Sequence, residues 1–257
     1  MKRRLLLAAT LPGLLPPAAR AGGAAARVAA ASDLQFVLPE LADGFARAGG
    51  QRVELSFGSS GNFARQIRQG APLDLFLSAD EAFVFQLADA GLTRDRGRLY
   101  AIGRIALIAP LASTLPLDER LEGLRRRWAD VRQFAIANPE HAPYGRAARE
   151  ALEKLGWWTA AQQRLVLGEN ISQATQFVAT GAAQAGITAL SLALAPPVAE
   201  RTRHLLLPDS LHQPLRQRMV LAAKARPAAQ AFYDYLSSAA ARAGLARSGF
   251  SLPGGGA

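Results

Sequence analysis

The 257-residue chain contains no cysteine and only three histidines. Without cysteine, disulfides and thiolate metal sites are excluded, and stability must come from a packed core. His141, His204 and His212 stand in unrelated contexts, and three histidines without thiols argue against a zinc centre. The G-x-S-x-G elbow of serine hydrolases is missing, so Ser32, Ser60, His141 and the aspartates do not read as a hydrolytic set. A basic stripe interleaved with aromatics is missing too. The cationic residues are scattered, their densest run is Arg125-Arg126-Arg127, and a solvated helix face explains it better than nucleic acid does. Low-complexity linkers and internal repeats are not evident, and past the N-terminus no segment reads as transmembrane.

What is present begins with Met1-Lys2-Arg3-Arg4, an apolar run over 5–15, and Ala19-Arg20-Ala21. A basic start, a short apolar stretch and an A-x-A site describe a cleavable secretory signal over 1–21, too short and too proline-rich to span a bilayer. The mature protein is therefore expected to be exported to the periplasm. Lys2, Arg3, Arg4 and Arg20 leave with that signal and no acid leaves with them, so the formal charge falls from +10 to +6. That balance favours an anionic ligand or surface. With 50% hydrophobic residues, the chain is long enough for one large or two modest domains.

The mature chain alternates. Apolar runs at 28–31, 53–57 and 73–77 read as strands; helical patterns follow at 34–48 (with Pro39 inside), 62–69 and 81–90. This order implies a parallel sheet covered on both faces. The run 103–109 suits one strand leaving that sheet. A second set follows, with strands at 134–137, 165–167, 185–188 and 205–207 and helices at 146–155 and 171–179. A return strand at 219–222 and helices at 227–237 and 239–247 close the chain. The expected class is α/β with two lobes, each a mixed, mainly parallel sheet flanked by helices, with a hinge and a ligand cleft between them. Lobe 1 is placed at 22–106 and 216–257, lobe 2 at 107–215.

The stretch Phe57-Gly58-Ser59-Ser60-Gly61-Asn62-Phe63 lies where a strand hands over to a helix. First-turn N–H groups lack intrahelical acceptors, serine adds an uncharged O–H donor, and glycine permits close approach. The arrangement is an oxyanion cradle or, more blandly, an N-cap with its turn. Ser32-Asp33 repeats the pattern after the first strand. In a parallel sheet both junctions fall on one edge, where ligands bind. Arg65 and Arg68 read as solvated, Trp157-Trp158 as lobe core, and His141 as a loop residue that holds its own turn.

Several motifs together resemble the periplasmic molybdate-binding proteins of ABC importers. They are Ala29-Ala30-Ala31-Ser32, Ser56-Phe57-Gly58-Ser59-Ser60-Gly61, Arg65-Gln66-Ile67, the run from Gly70 to Asp80, the segment from Asn138 to Gly145, and Ala231 to Leu236. The likeness covers essentially the whole mature chain. It implies a type II periplasmic-binding-protein fold and a binding protein rather than an enzyme, without a cofactor. Such a protein is expected to be a monomer that carries molybdate or tungstate to ABC permease membrane subunits. It also implies Ser32 and Ser60 as hydroxyl and N–H donors, Ile171 as an N–H donor at a helix start, and Tyr144, in the loop after Asn138-Pro139-Glu140-His141, as the phenol donor. Ala189 stands where another branch of the family has tyrosine. Asp33 is expected to turn its carboxylate away from the dianion and to offer only its backbone N–H, capping its helix. Ser59 and Arg146 are secondary candidates, Arg146 either near the anion or bridging the lobes. The alternatives left open are sulfate or a small organic acid on the same fold, phosphate if Asp33 points inward, and a periplasmic sensor or adaptor.

Overall fold

The computed structural model describes residues 25–254, so the signal expected over 1–21 lies outside the described residues. Strand β1 (Ala26–Ala31) runs through a 3-10 turn (Ser32–Leu34) into helix α1 (Val37–Arg47). There follow β2 (Val53–Gly58), α2 (Ser60–Arg68), β3 (Leu75–Ser78), α3 (Glu81–Asp89) and β4 (Arg98–Gly103). A second group contains β5 (Ile105–Pro110), α4 (Glu122–Arg126), β6 (Phe134–Ala137), α5 (Pro143–Lys154), α6 (Trp158–Gln162) and β7 (Leu165–Gly168). It continues with α7 (Ile171–Ala179), β8 (Ala185–Ala189), α8 (Leu190–Ala193), α9 (Pro196–Ala199) and β9 (Thr202–Leu206). The chain then returns through β10 (Leu215–Leu221) to α10 (Pro227–Tyr235) and α11 (Ala239–Arg247).

These strands form two five-stranded sheets, β2-β1-β3-β10-β4 and β7-β6-β8-β5-β9. In the first, β1 pairs in parallel with β2 and β3, while β10 runs antiparallel between β3 and β4. In the second, β6 pairs in parallel with β7 and β8, and β5 runs antiparallel between β8 and β9. The two-lobed α/β architecture with mixed sheets is therefore the one expected. The central strands β1, β3, β5, β6 and β8 are buried on both faces, which is why they read as nearly unbroken apolar runs. Val28 and Ala30 face a core containing Leu38, Leu77 and Phe232; Ala29 faces the opposite core with Phe63, Phe76 and Val84. In the second sheet Phe134 and Ile136 pack with Trp157, while Ala135 and Ile108 pack with Val178.

Several boundaries differ from expectation, and three of them have a local physical reason. The single strand at 103–109 is two strands: Arg104 separates β4, in the first sheet, from β5, in the second. The helix at 34–48 is a 3-10 turn followed by α1, which puts Pro39 in the first helical turn, where its missing N–H leaves no bond unmade. Helix α5 starts at Pro143 and not near Arg146, because proline is pre-set for the first helical position.

Candidate functional site

The carboxyl ends of β1, β2, β6 and β7 lead into the 3-10 turn, α2, α5 and α7, and these four starts face one another between the sheets. Ser32, Asp33, Ser59, Ser60, Tyr144 and Ile171 line one small cavity between the lobes. Six of the seven candidates are thus brought together. Arg146 is not among the lining residues. It reaches across the cleft to the Asp80 carboxylate at 3.0 Å and holds Glu150 on its own helix at 2.8 Å.

The lining donors carry no charge. Ser60 is fully buried; its Oγ accepts from Ala79 N–H at 2.9 Å, which leaves the hydroxyl proton to donate. Ser59 is the N-cap of α2 and accepts from Asn62 N–H at 3.4 Å. Ser32 Oγ accepts from the N–H of Ser172, the second residue of α7, at 3.2 Å, so a hydroxyl of one lobe caps a helix of the other. By position, the N–H groups of Ser60, Tyr144 and Ile171 have no intrahelical acceptor. Three helix N-termini, each with partial positive charge, therefore border one cavity.

The lobes are closed on each other. Gly61 N–H donates to the His141 carbonyl at 3.0 Å, and the His141 ring nitrogen Nδ1 lies 3.0 Å from Ser59 Oγ. Ser191 Oγ donates to the Asp33 carbonyl at 2.8 Å, and the Asn62 amide reaches Glu169. His141 was expected to hold its own turn. Its N–H does so, donating to the Asn138 carbonyl at 3.4 Å; Asn138 also accepts from Ala142 N–H at 2.9 Å and, through its side chain, from Glu140 N–H at 3.0 Å, while the His141 ring and carbonyl reach across the cleft.

Asp33 departs from its expected role. Its side chain caps no helix; the residue is 1% exposed. Oδ2 accepts from Gln217 Nε2 at 2.5 Å and from the Tyr144 hydroxyl at 2.9 Å, whereas Oδ1 has no hydrogen-bond partner among the described residues. Gln217 Nε2 also donates to the Tyr144 oxygen at 3.0 Å, and Gln217 Oε1 accepts from the Tyr100 hydroxyl at 2.6 Å. Burial pushes the Asp33 carboxyl up to about 6, partly offset by the hydrogen bonds from Gln217 and Tyr144. Burial, and then the Asp33 charge, hold the Tyr144 and Tyr100 phenols well above their ordinary value, so both stay protonated donors. The Tyr144 phenol, expected to face the anion, donates its hydrogen bond to Asp33 in this arrangement. The carboxylate turned inward because two neutral donors, from α5 and β10, meet it there.

Sequence reasoning did not mark Gln217, Tyr100 or Ser172. Gln217 lies on β10, whose start at Leu215 precedes the expected 219, and a register shift falls between Gln217 and Arg218. Its signal was alternation: Leu215, Gln217 and Met219 point inward between outward arginines. Tyr100 sits on β4, unmarked as a strand. Elsewhere, Arg65 is exposed and bonded to Asn62, Ala189 is buried at the end of β8, and Trp157 packs edge-on against Trp128 at 4.6 Å. Among the described residues no group of three or more His, Cys, Asp or Glu could hold a metal ion, and no helix is long and apolar enough to cross a membrane.

A family model described as bacterial extracellular solute-binding protein matches residues 26–251. The chain is 36% identical over 250 residues to the molybdate-binding protein ModA of Azotobacter vinelandii, with 96% of this chain and 97% of the relative covered. It is 36% identical over 235 residues to the ModA of Rhodobacter capsulatus, covering 90% and 88%. The solved periplasmic molybdate-binding protein of Azotobacter vinelandii superposes with a TM-score of 0.79 at 32% identity, over 89% of this chain and 99% of that one.

Proposed function

Because the chain belongs to the bacterial extracellular solute-binding protein family and has the two-lobed type II periplasmic-binding fold, we propose that it captures molybdate in the interlobe cavity and hands it to an ABC importer. Tungstate, nearly the same size, is carried as well. The observation that supports this reading best is the small interlobe cavity bordered by uncharged hydroxyls and three helix starts. A tetrahedral dianion gives up its hydration shell only where enough donors replace it. Ser32 and Ser60 hydroxyls and the N–H groups of Ser60, Tyr144 and Ile171 are such donors; they address the oxygens, and none ligates a metal. Donors spaced for long metal–oxygen bonds hold the smaller sulfate loosely, so size sets selectivity.

The protein works as a carrier and not as an enzyme. Ser59, His141 and Glu169 follow one another in the order of a nucleophile, base and acid. The His141–Glu169 separation is 3.7 Å, beyond a hydrogen bond, so no acid orients the imidazole. Capture closes lobe 1 (22–106 and 216–257) on lobe 2 (107–215), and the permease membrane subunits receive the closed form. The protein acts as a periplasmic monomer, without cofactor or nucleic acid.

The test is calorimetric titration of the mature protein with molybdate, tungstate and sulfate. Tight one-to-one binding of the first two, with little response to sulfate and a loss of at least tenfold in Ser60→Ala, is expected. Equal affinity for sulfate and molybdate, or no heat with either, would overturn the reading.

A further inference from the structure

We infer that oxyanion capture is proton-coupled: Asp33 takes up one proton as the anion binds and then serves as a hydrogen-bond donor. This inference rests on reading the interlobe cavity as the oxyanion site. Its ground is geometric. Asp33 lines the cavity beside Ser32 and Ser60, is 1% exposed, and has one oxygen saturated by Gln217 and Tyr144 and the other, Oδ1, without a partner. Beyond the two donors to Oδ2, only the backbone N–H groups of Asp33 and Leu34 act on this carboxylate, and a buried carboxylate beside a dianion is costly.

No countercharge stands by to relieve it. From α5 the group facing Asp33 is Tyr144; from β10 it is Gln217, itself bonded to Tyr100 of β4. Ser191 of α8 bonds the Asp33 carbonyl, and α7 carries no charged residue. Arginines on these elements are engaged elsewhere: Arg146 with Asp80 and Glu150, Arg216 and Arg218 with Glu81, Arg98 with Asp234. Glu40 and Arg247 line an outer cavity that Asp33 also borders, and their charges oppose each other. Tyr144 and Tyr100 are the titratable groups in direct reach, and both are held protonated.

An arriving dianion therefore meets a carboxylate that burial, net of the hydrogen bonds to it, already holds at about 6, and it raises that value further. A proton from solvent adds to Oδ1, the oxygen with no donor. The new O–H points its hydrogen at an anion oxygen, while Oδ2 keeps Tyr144 and Gln217. No bond of the anion breaks; the charge of the complex falls by one less than the charge of the ligand. Since molybdate keeps its double charge near neutrality, the linkage belongs to the protein. One proton per anion makes affinity fall about tenfold per pH unit above pH 7.

The experiment is titration with molybdate at pH 7.5 in buffers of low and high ionisation enthalpy, with affinities measured from pH 6 to 8.5. Close to one proton taken up per anion and a slope near one are expected. Asp33→Asn, whose amide is a permanent donor, should lose both the uptake and the slope and should bind more tightly than the unmodified protein at pH 8.5. His141 is present in both proteins, so proton uptake that persists in Asp33→Asn would assign the effect to another group and overturn the inference. Buffer-independent heat with a flat affinity in the unmodified protein would overturn it as well and leave molybdate capture standing. Absence of molybdate binding by the unmodified protein would overturn both. The unmodified protein decides the question even if the variant fails to fold.

Discussion

Gly61 donates its N–H to the carbonyl oxygen of His141 across the cleft at 3.0 Å, and a Cβ placed on Gly61 would lie 2.6 Å from that same oxygen. A methyl group at this point meets backbone of the opposite lobe. Gly61→Ala should therefore hinder closure without harming lobe 1, because alanine in a helix is favoured over glycine by about 1 kcal/mol. The expected outcome is an affinity loss of roughly tenfold with unchanged or slightly raised stability of the free protein. Scattering measurements should show a smaller ligand-induced contraction.

Arg146 and Asp80 form a second cross-lobe contact, 34% and 21% exposed. Partial exposure screens the pair, so its coupling should be about 1 kcal/mol or less. Asp80 also caps α3 by accepting from Ala82 N–H at 2.9 Å, so Asp80→Asn is the variant that keeps the cap. A double-mutant cycle with Arg146→Gln, read in ligand affinity, should return a coupling of that size. Additive effects would remove the pair from the closure contacts.

Asp33 has a stability signature in the free protein, of sign opposite to that of an ordinary paired carboxylate. Its folded value, about 6, lies above the ordinary 3.8, so the folded state binds the extra proton between those pH values. The contribution is full below about pH 4 and is lost as pH rises through 6. Asp33→Asn should accordingly raise stability at pH 7.5 by roughly 3 kcal/mol, and the difference should close below pH 4. Thermal unfolding without ligand across pH 4–8 measures it.

Asp74, at the far end of lobe 1 from the cavity, behaves the other way. Burial tends to raise its carboxyl, but Arg226 and the N–H groups of Arg27 and Arg226 outweigh this and hold it below the usual value. Its oxygens accept from Arg27 N–H at 2.7 Å and Arg226 N–H at 3.0 Å, tying the start of β1 to the start of α10. Asp74→Ala should cost about 3 kcal/mol in urea unfolding at pH 7. Because the folded value is depressed, this stabilisation is present above about pH 4 and fades as pH falls through the folded value.

Much of this was legible in one dimension. Apolar runs of strand length, helix faces between them, and serines at the hand-over points marked both sheets and one wall of the cavity. Pro143 marked a helix start that went unread, although proline favours that position. The break at Arg104 was hidden because a single arginine between Ala101-Ile102-Gly103 and the apolar run Ile105 to Ala109 does not by itself end a strand. Gln217 was hidden because a lone inward glutamine between two arginines looks like surface until its partners are known.

The sequence by itself determined the alternation of strands and helices, the two sheets, and the uncharged donors at their carboxyl edges, because those depend on periodicity and on local backbone chemistry. Only the tertiary structure decided what Asp33 does. A carboxylate's role depends on what surrounds it, and its surroundings come from Tyr144, Gln217 and Tyr100, which lie 111, 184 and 67 residues away along the chain. Closure likewise joined Gly61 to His141 and Ser32 to Ser172. Those pairings follow from how two lobes meet, which no local pattern records.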